Sequence, residues 1–263
     1  MRVAVITYAH RREEMFKLHA NCVKRLAERY DVIPIVVNSI EHPAKKLVES
    51  YGFEYHEHPN KIPQQYWLGT KANFAVICAS CHNPDYVMVL DSDDIISDSF
   101  FEMFLEQMKL GIDVIGVRDL YFWSLHTKRS AFNVFGYYQG RGTRITGVGK
   151  TMSRNILEKV DWCPFNRKVN SGLDGTMLAK TRKRGATKVS LIQKEHDVFG
   201  IDIKSGGNIN GIGNFPVVKM NPEKTLRKYL PEWEVEQIMG FAEKNWKERY
   251  GSDWVNLSKS QIQ

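Results

Sequence analysis

A recurring order of short apolar run followed by helical periodicity restricts this chain more than any other feature. Val3-Ala-Val-Ile6 stops at Thr7-Tyr8, and residues 12–30 then carry Met15, Leu18, Cys22, Leu26 and Tyr30 at helical spacing. Val32-Ile-Pro-Ile-Val-Val37 is rich in β-branched residues and ends at Asn38-Ser39. Pro43 suits the first turn of a short helix to Tyr51, and Phe53-Glu-Tyr-His-Glu57 alternates like a strand. A helix is predicted over 64–82, with Trp67, Lys71, Phe74 and Cys78 along one side. Tyr86-Val-Met-Val-Leu90 then runs directly into Asp91-Ser-Asp-Asp94. Ser97 or Asp98 caps a helix through Lys109, and Val114-Ile-Gly-Val117 is a further strand.

Strands alternating with helices imply parallel pairing through right-handed crossovers. The expected fold class is therefore α/β: an open, doubly wound mixed sheet, largely parallel, with helices on both faces and a C-terminal helical extension. In such sheets ligands bind beyond the carboxyl ends of the strands, where Thr7-Tyr8, Asn38-Ser39 and Asp91–Asp94 converge. Beyond residue 118 the pattern changes to aromatic, glycine and basic clusters, with helices expected at 153–160, 173–184 and 222–249. The stretch 200–214 holds five glycines and three asparagines and reads as a loop that wraps a ligand. One continuous domain is expected, divided into a first half (1–118), a second half with a glycine-rich loop (119–214) and a helical segment (215–263).

Charge divides along the same lines. The formal net charge is +7, yet residues 1–117 carry 12 basic against 16 acidic side chains and residues 141–188 carry 12 against 3. The positive field belongs to the later segment, which is expected to face something anionic. Cys22, Cys78, Cys81 and Cys163 are too few and too scattered for a disulfide scaffold. No apolar run approaches the roughly 18 residues of a transmembrane helix, and Met1 leads into Arg2 and a strand rather than a signal peptide. The expected setting is the cytoplasm, without membrane insertion.

Asp91, Asp93 and Asp94, placed directly after a buried strand, crowd negative charge that a cation or ligand must neutralise. Hard oxygen donors suit Mg²⁺ or Mn²⁺, which take one or two carboxylates together with substrate phosphates. The alternative is a solvated turn with Asp as helix cap. Val-Ile-Thr-Tyr at the first strand, Gly69-Thr-Lys-Ala-Asn73 before a helix and Val-Leu-Asp-Ser-Asp-Asp after the fourth strand together resemble the GT-A nucleotide-sugar glycosyltransferases. The likeness is greatest to their family-2 type group, whose acidic element is the DXD motif.

That resemblance implies that 1–118 is the nucleotide-sugar donor-binding half and 119–214 the acceptor and catalytic half with a glycine-rich lid, and it implies roles for individual residues. Thr7 and Tyr8 match the strand exit that contacts the donor base. Asn38 stands where many relatives have an Asp contacting uracil, which leaves the base open, with a UDP-sugar the leading donor. Lys71 and Asn73 match the pair that reaches the nucleotide, Asp91 the ribose contact, and Asp93 the ligand of the Mn²⁺ or Mg²⁺ bridging the diphosphate. Arg144 and Lys150 are further phosphate contacts. Asp174, in Asn170-Ser-Gly-Leu-Asp-Gly175, matches the acceptor-side carboxylate that serves as base in an inverting transfer; the usual Glu-Asp reads Leu-Asp here, and capping of the helix that follows is the other reading. His196 is a candidate third metal ligand, because some relatives complete the metal shell with a late His. Asp202, Lys204 and Ser205 fall in the expected lid, with Lys204 on the donor phosphates.

Residues 140–214 are loosely similar to phage-type members, some of which decorate hydroxymethylated bases. Trp162, Phe165, Arg167 and Arg182-Lys-Arg184 interleave aromatic with basic residues, as a surface that holds a backbone and stacks a base does. DNA is thus the leading acceptor, and a surface glycan or lipid the alternative; a phage-encoded chain would act in the host cytoplasm. A nucleotidyltransferase is a rival, although its glycine-rich loop after the first strand is missing from Thr7-Tyr8-Ala-His-Arg-Arg12. A non-enzymatic nucleic-acid binder is another, although it has no need of Asp91 and Asp93. Cys78-Ala-Ser-Cys-His82 has haem-attachment or half-zinc spacing and Gly147-Val-Gly-Lys-Thr151 the end of a P-loop, but neither has the required context. Both Cys78 and Cys81 are expected at a helix–sheet contact.

Overall fold

A computed structural model of the protein describes residues 1–8, 12–39, 44–58, 67–125, 132–136, 145–169, 172–204 and 218–250. Its first half follows the expected alternation: β1 (Val3–Tyr8), α1 (Glu13–Arg29), β2 (Val32–Ser39), α2 (Lys45–Ser50), β3 (Glu54–His58), α3 (Trp67–Ser80) and β4 (Tyr86–Val89). Then come β5 (Asp94–Ile96), α4 (Asp98–Lys109), β6 (Val114–Val117), β7 (Asp119–Ser124) and β8 (Phe132–Gly136). The later elements are β9 (Lys150–Ser153), α5 (Arg154–Lys159), α6 (Leu173–Arg182), β10 (Lys188–Leu191), α7 (Gln193–His196), β11 (Gly200–Lys204), β12 (Val218–Met220), α8 (Pro222–Tyr229) and α9 (Glu232–Tyr250).

Seven strands form the main sheet in the order β10-β6-β9-β4-β1-β2-β3. All neighbours pair in parallel except β9, which runs antiparallel between β4 and β6. The period of two along each strand sends alternate side chains to opposite faces. Val3 and Val5 of β1 enter one core with α1 and α4, while Ala4, Ile6 and Tyr8 enter a second with α3, α5 and α6. Burial on both faces is why these strands read as unbroken apolar runs.

A second sheet, β12-β8-β7-β11-β5, was not expected from the sequence. Its strands come from the aromatic run at 119–124 and from Gly200–Lys204, the start of the expected lid. Residues 205–214 of that lid, Ser205 among them, lie outside the described residues, as does Arg144. β5 is the edge of this sheet, and α1 covers its outer side. His19 Nδ1 lies 2.8 Å from the Asp94 carbonyl, the Cys22 thiol 3.3 Å from the Ile96 carbonyl, and Arg25 donates to that same carbonyl at 2.7 Å. These side chains, three residues apart on one helix face, supply the hydrogen bonds that an open strand edge lacks.

Local capping follows simple rules. Ser97 Oγ accepts from Phe100 N at the start of α4, Ser153 Oγ from Ile156 N at α5, and Asn221 Oδ1 from Lys224 N at α8. The helical region expected over 222–249 is two helices, because Pro231 removes a donor and turns its predecessor Leu230 to extended backbone. α9 is fastened to the core by Arg25, whose guanidinium donates to Glu234 at 2.9 and 3.3 Å and also pairs with Asp98. The Glu234 side chain is 3% exposed.

Removing one member of a buried pair strands the other. Arg25→Met should therefore destabilise the protein by about 3–5 kcal/mol in urea unfolding, and adding Glu234→Leu should recover most of the loss. A double variant no more stable than the single one would contradict this account of the pair.

Candidate active site

The carboxyl ends of β1, β2 and β4 open onto one crevice, as the parallel pairing requires, and the turn after β4 carries the acidic cluster into it. Asp94 N donates to the Asp91 carbonyl at 2.9 Å, and Asp91 N donates to Asp94 Oδ2 at 2.8 Å, which closes the turn on itself. The backbone then enters β5, where Asp94 pairs antiparallel with Asp202 of β11. Ile203 N donates to the Asp93 carbonyl at 3.0 Å. The cross-strand register brings one carboxylate oxygen from each of Asp93, Asp94 and Asp202 within 4.8 Å of the others, the one such group of potential metal ligands among the described residues.

Cations surround the group. Arg12 donates to Asp93 Oδ2 at 2.9 Å and reaches Ser92 Oγ at 3.4 Å. Lys204 pairs with Asp202, and Lys150 of β9 pairs with Asp174 in the first turn of α6. The carboxylates still outweigh their partners. Burial pushes Asp91 up to about 6, with Asp93 and Asp174 adding to the rise while Lys150 and Lys204 oppose it. Burial also pushes Asp202 up to about 7 against the pull of Lys204, and holds Asp94 well above the usual carboxylate range, reinforced by Asp91 and Asp202. Asp91 Oδ1, Asp202 Oδ1 and the Tyr8 hydroxyl are buried with no hydrogen-bond partner among the described residues. Orphaned acceptors beside unbalanced negative charge fit a hard divalent cation, which is the chemistry that an all-oxygen donor set selects.

The other expected site residues divide into those at the crevice and those elsewhere. Tyr8 stands near Asp91, Asp174 and Asp94, whose charges add to burial in raising its phenol far above the ordinary value. Thr7 is buried, 2.7 Å from His19 Nε2, and Asn38 is buried at the end of β2. Burial lowers the Lys71 ammonium to about 8. Asn73 has its amide engaged: it donates to the Phe165 carbonyl and accepts from Phe165 N, both at 2.9 Å. Thr70 donates to the Arg167 carbonyl, and a Cβ on Gly69 would stand 2.0 Å from the Asn166 carbonyl oxygen. The Gly69–Asn73 motif thus stitches the start of α3 to 165–169.

His196 departs from the sequence expectation. It is exposed at the end of α7, and the chain turns through left-handed Asp197 before β11 begins. The third carboxylate beside Asp93 and Asp94 is Asp202, which sequence analysis placed in a lid; the alternation in Ile201-Asp-Ile-Lys204 was the available signal that it lies on a strand. Arg12 and His19 were also missed. Trp162 is half-buried against the second core, whereas Arg167 and Arg182 are exposed. Cys78 is buried in the second core, but Cys81 is exposed rather than at the helix–sheet contact.

The central mixed sheet, its crossovers and the acidic turn feeding a second sheet define the GT-A fold of nucleotide-sugar glycosyltransferases. Among solved structures, a mannosyltransferase from Pyrobaculum calidifontis, in complex with GDP-Man and Mn²⁺, superposes with a TM-score of 0.52 at 10% identity, over 99% of this chain and 79% of that one. A glucosyl-3-phosphoglycerate synthase from Mycobacterium tuberculosis gives 0.49 at 16% identity, covering 72% and 67%. TarS from S. aureus, residues 1–349, gives 0.49 at 13%, covering 96% and 73%. No protein-family model matches the sequence, and no curated protein does.

The raised carboxyls make a signed prediction. Carboxylic acids near 3.8 when unfolded and near 6 and 7 when folded stabilise the fold fully below about pH 4, and that stability is lost as pH rises through 6 and 7. The chain in EDTA should therefore melt at a lower temperature at pH 8 than at pH 5.5. Added Mn²⁺, which binds the ionised form, should raise the melting temperature more at pH 8. Calorimetry at both pH values checks each sign.

Proposed function

We propose that the protein is a metal-dependent glycosyltransferase that moves a sugar from a nucleoside diphosphate to an acceptor hydroxyl. The observation that carries this reading is the three-carboxylate group of Asp93, Asp94 and Asp202 at the strand-end crevice of a GT-A fold. The mannosyltransferase with the same fold, solved with GDP-Man and Mn²⁺, supports it. Asp93, Asp94 and Asp202 would hold Mn²⁺ or Mg²⁺, whose contribution when bound is to neutralise the leaving diphosphate.

The remaining chemistry falls to the chain's own side chains. Tyr8, at the end of β1, offers the donor a hydroxyl that has no partner among the described residues, and Asn38 and Lys71, both buried, are assigned to the nucleotide side. Asp91 is the ribose contact, its Oδ1 buried and unpartnered. Lys204 stands on the phosphate side. Asp174 faces the crevice from α6, close enough to influence Asp91 and Tyr8. Its carboxylate takes the acceptor's proton as the hydroxyl oxygen attacks the anomeric carbon opposite the departing diphosphate, giving inversion. Lys150 fixes that carboxylate in place through their ion pair.

Arg167 and Lys168, on the segment stitched to the start of α3, are exposed, as are Arg182, Lys183, Arg184 and Lys188 at and before the amino end of β10. This favours an anionic acceptor, and DNA bearing a hydroxymethylated base is the reading put first over glycan or lipid. No helix among the described residues is long and apolar enough to cross a membrane.

The test is release of nucleoside diphosphate from UDP- and GDP-sugars with Mn²⁺, with and without modified DNA, glycan and lipid acceptors. No turnover with any donor would sink the transferase reading, and stimulation by glycan or lipid alone would remove DNA. Asp174→Asn should keep donor binding and lose about 10²–10⁴-fold in transfer. Asp202→Asn should weaken Mn²⁺ binding itself. Arg167→Glu with Lys168→Glu should raise the KM for an anionic acceptor while leaving donor hydrolysis unchanged.

A further inference from the structure

Helix α1 buries Met15, Phe16, Leu18, Cys22, Val23 and Leu26 on one face, and His19 sits among them, 0% exposed. An apolar residue would satisfy the packing. The imidazole instead bridges two elements of the crevice, with Nδ1 2.8 Å from the Asp94 carbonyl and Nε2 2.7 Å from Thr7 Oγ1. A carbonyl only accepts, so Nδ1 carries the proton and Nε2 accepts from the Thr7 hydroxyl. Burial keeps the ring neutral by lowering it to about 4, so a single tautomer serves both bonds.

The carbonyl that His19 holds belongs to the residue on which the acidic group pivots. The Asp94 side chain accepts from Asp91 N, and its backbone is in register with Asp202. α1 makes two further contacts to β5 through Cys22 and Arg25, but both are to Ile96, two residues farther along the strand. His19 alone among these three acts at the carboxylate-bearing end.

We propose that His19 is a positioning residue, holding the Asp93–Asp94 turn against Asp202 and so setting the site's affinity for a divalent cation. This rests on the reading of Asp93, Asp94 and Asp202 as the cation-binding group. Supporting partners of metal ligands elsewhere are worth about 10–100-fold in metal affinity, and the same magnitude is expected here.

The experiment measures Mn²⁺ binding to the full chain, without nucleotide, by the electron paramagnetic resonance signal of the free ion, alongside thermal unfolding. His19→Phe keeps ring volume but deletes both hydrogen bonds, and should weaken binding about 10–100-fold. His19→Gln retains a donor and an acceptor at similar separation and should recover most of the affinity. The Arg25→Met/Glu234→Leu variant, altered at the far end of β5, should bind Mn²⁺ as the unaltered chain does. The proposal is overturned if His19→Phe binds Mn²⁺ with unchanged affinity, or if Gln does no better than Phe. It also falls if the Arg25 variant loses as much. Should His19→Phe not fold, Thr7→Val removes the Nε2 bond, and unchanged Mn²⁺ affinity there overturns the proposal equally. An unaltered chain that binds no Mn²⁺ removes the cation-binding reading as well; an unaltered chain that binds it, beside an equally competent His19→Phe, removes this inference alone.

Discussion

Electrostatic crowding at the junction of the two sheets governs the design of this protein. Asp91, Asp93, Asp94 and Asp202 converge where water is largely excluded, with Asp174 half-buried beside them, and Arg12, Lys150 and Lys204 are the counter-ions around them. Such an arrangement is tolerable in a folded chain only if backbone geometry holds the acids more firmly than their repulsion drives them apart. Here the antiparallel pairing of β5 with β11 and the self-closed turn from Asp91 to Asp94 both contribute to that holding. A site with surplus negative charge and unpartnered acceptor oxygens is prepared for a cationic guest.

Much of this was legible in the sequence, for reasons tied to burial. Strands covered on both faces must be apolar throughout, so β1, β2, β4 and β6 announce themselves, and their carboxyl ends mark the crevice without further information. Asp93 was legible because it follows such a strand directly. Asp202 was harder to read, because it belongs to a strand whose neighbours in sequence are glycine-rich and one of whose partners, β5, lies more than a hundred residues away. His19 was hidden by its own environment: a polar residue within an apolar helix face looks like an imperfection in the periodicity until the strand edge it serves is known. His196 was assigned from resemblance, and the left-handed turn at Asp197 had no counterpart in that argument.

The basic half of the chain divides once it is folded. Lys150 comes from the segment that charge counting set toward an anionic partner, yet it turns inward and serves as an internal counter-ion, as Lys204 does farther along the chain. Arg167 and the cluster at 182–184 remain outside. Net charge along a sequence therefore overstates the field available to a partner, because some of the surplus is already neutralising the site.

The placement of β9 bears on how the protein comes to be folded at all. This strand is made late in the chain but lies between β4 and β6, so the central sheet stays split until residue 153 has been synthesised and threaded into the gap. The first 118 residues hold most of the parallel strands, yet they form no continuous sheet alone. Long-range closure of this kind is slow compared with local contacts. During that interval β4 and β6 each present an open edge, and the main sheet that carries the crevice is continuous only once β9 is in place.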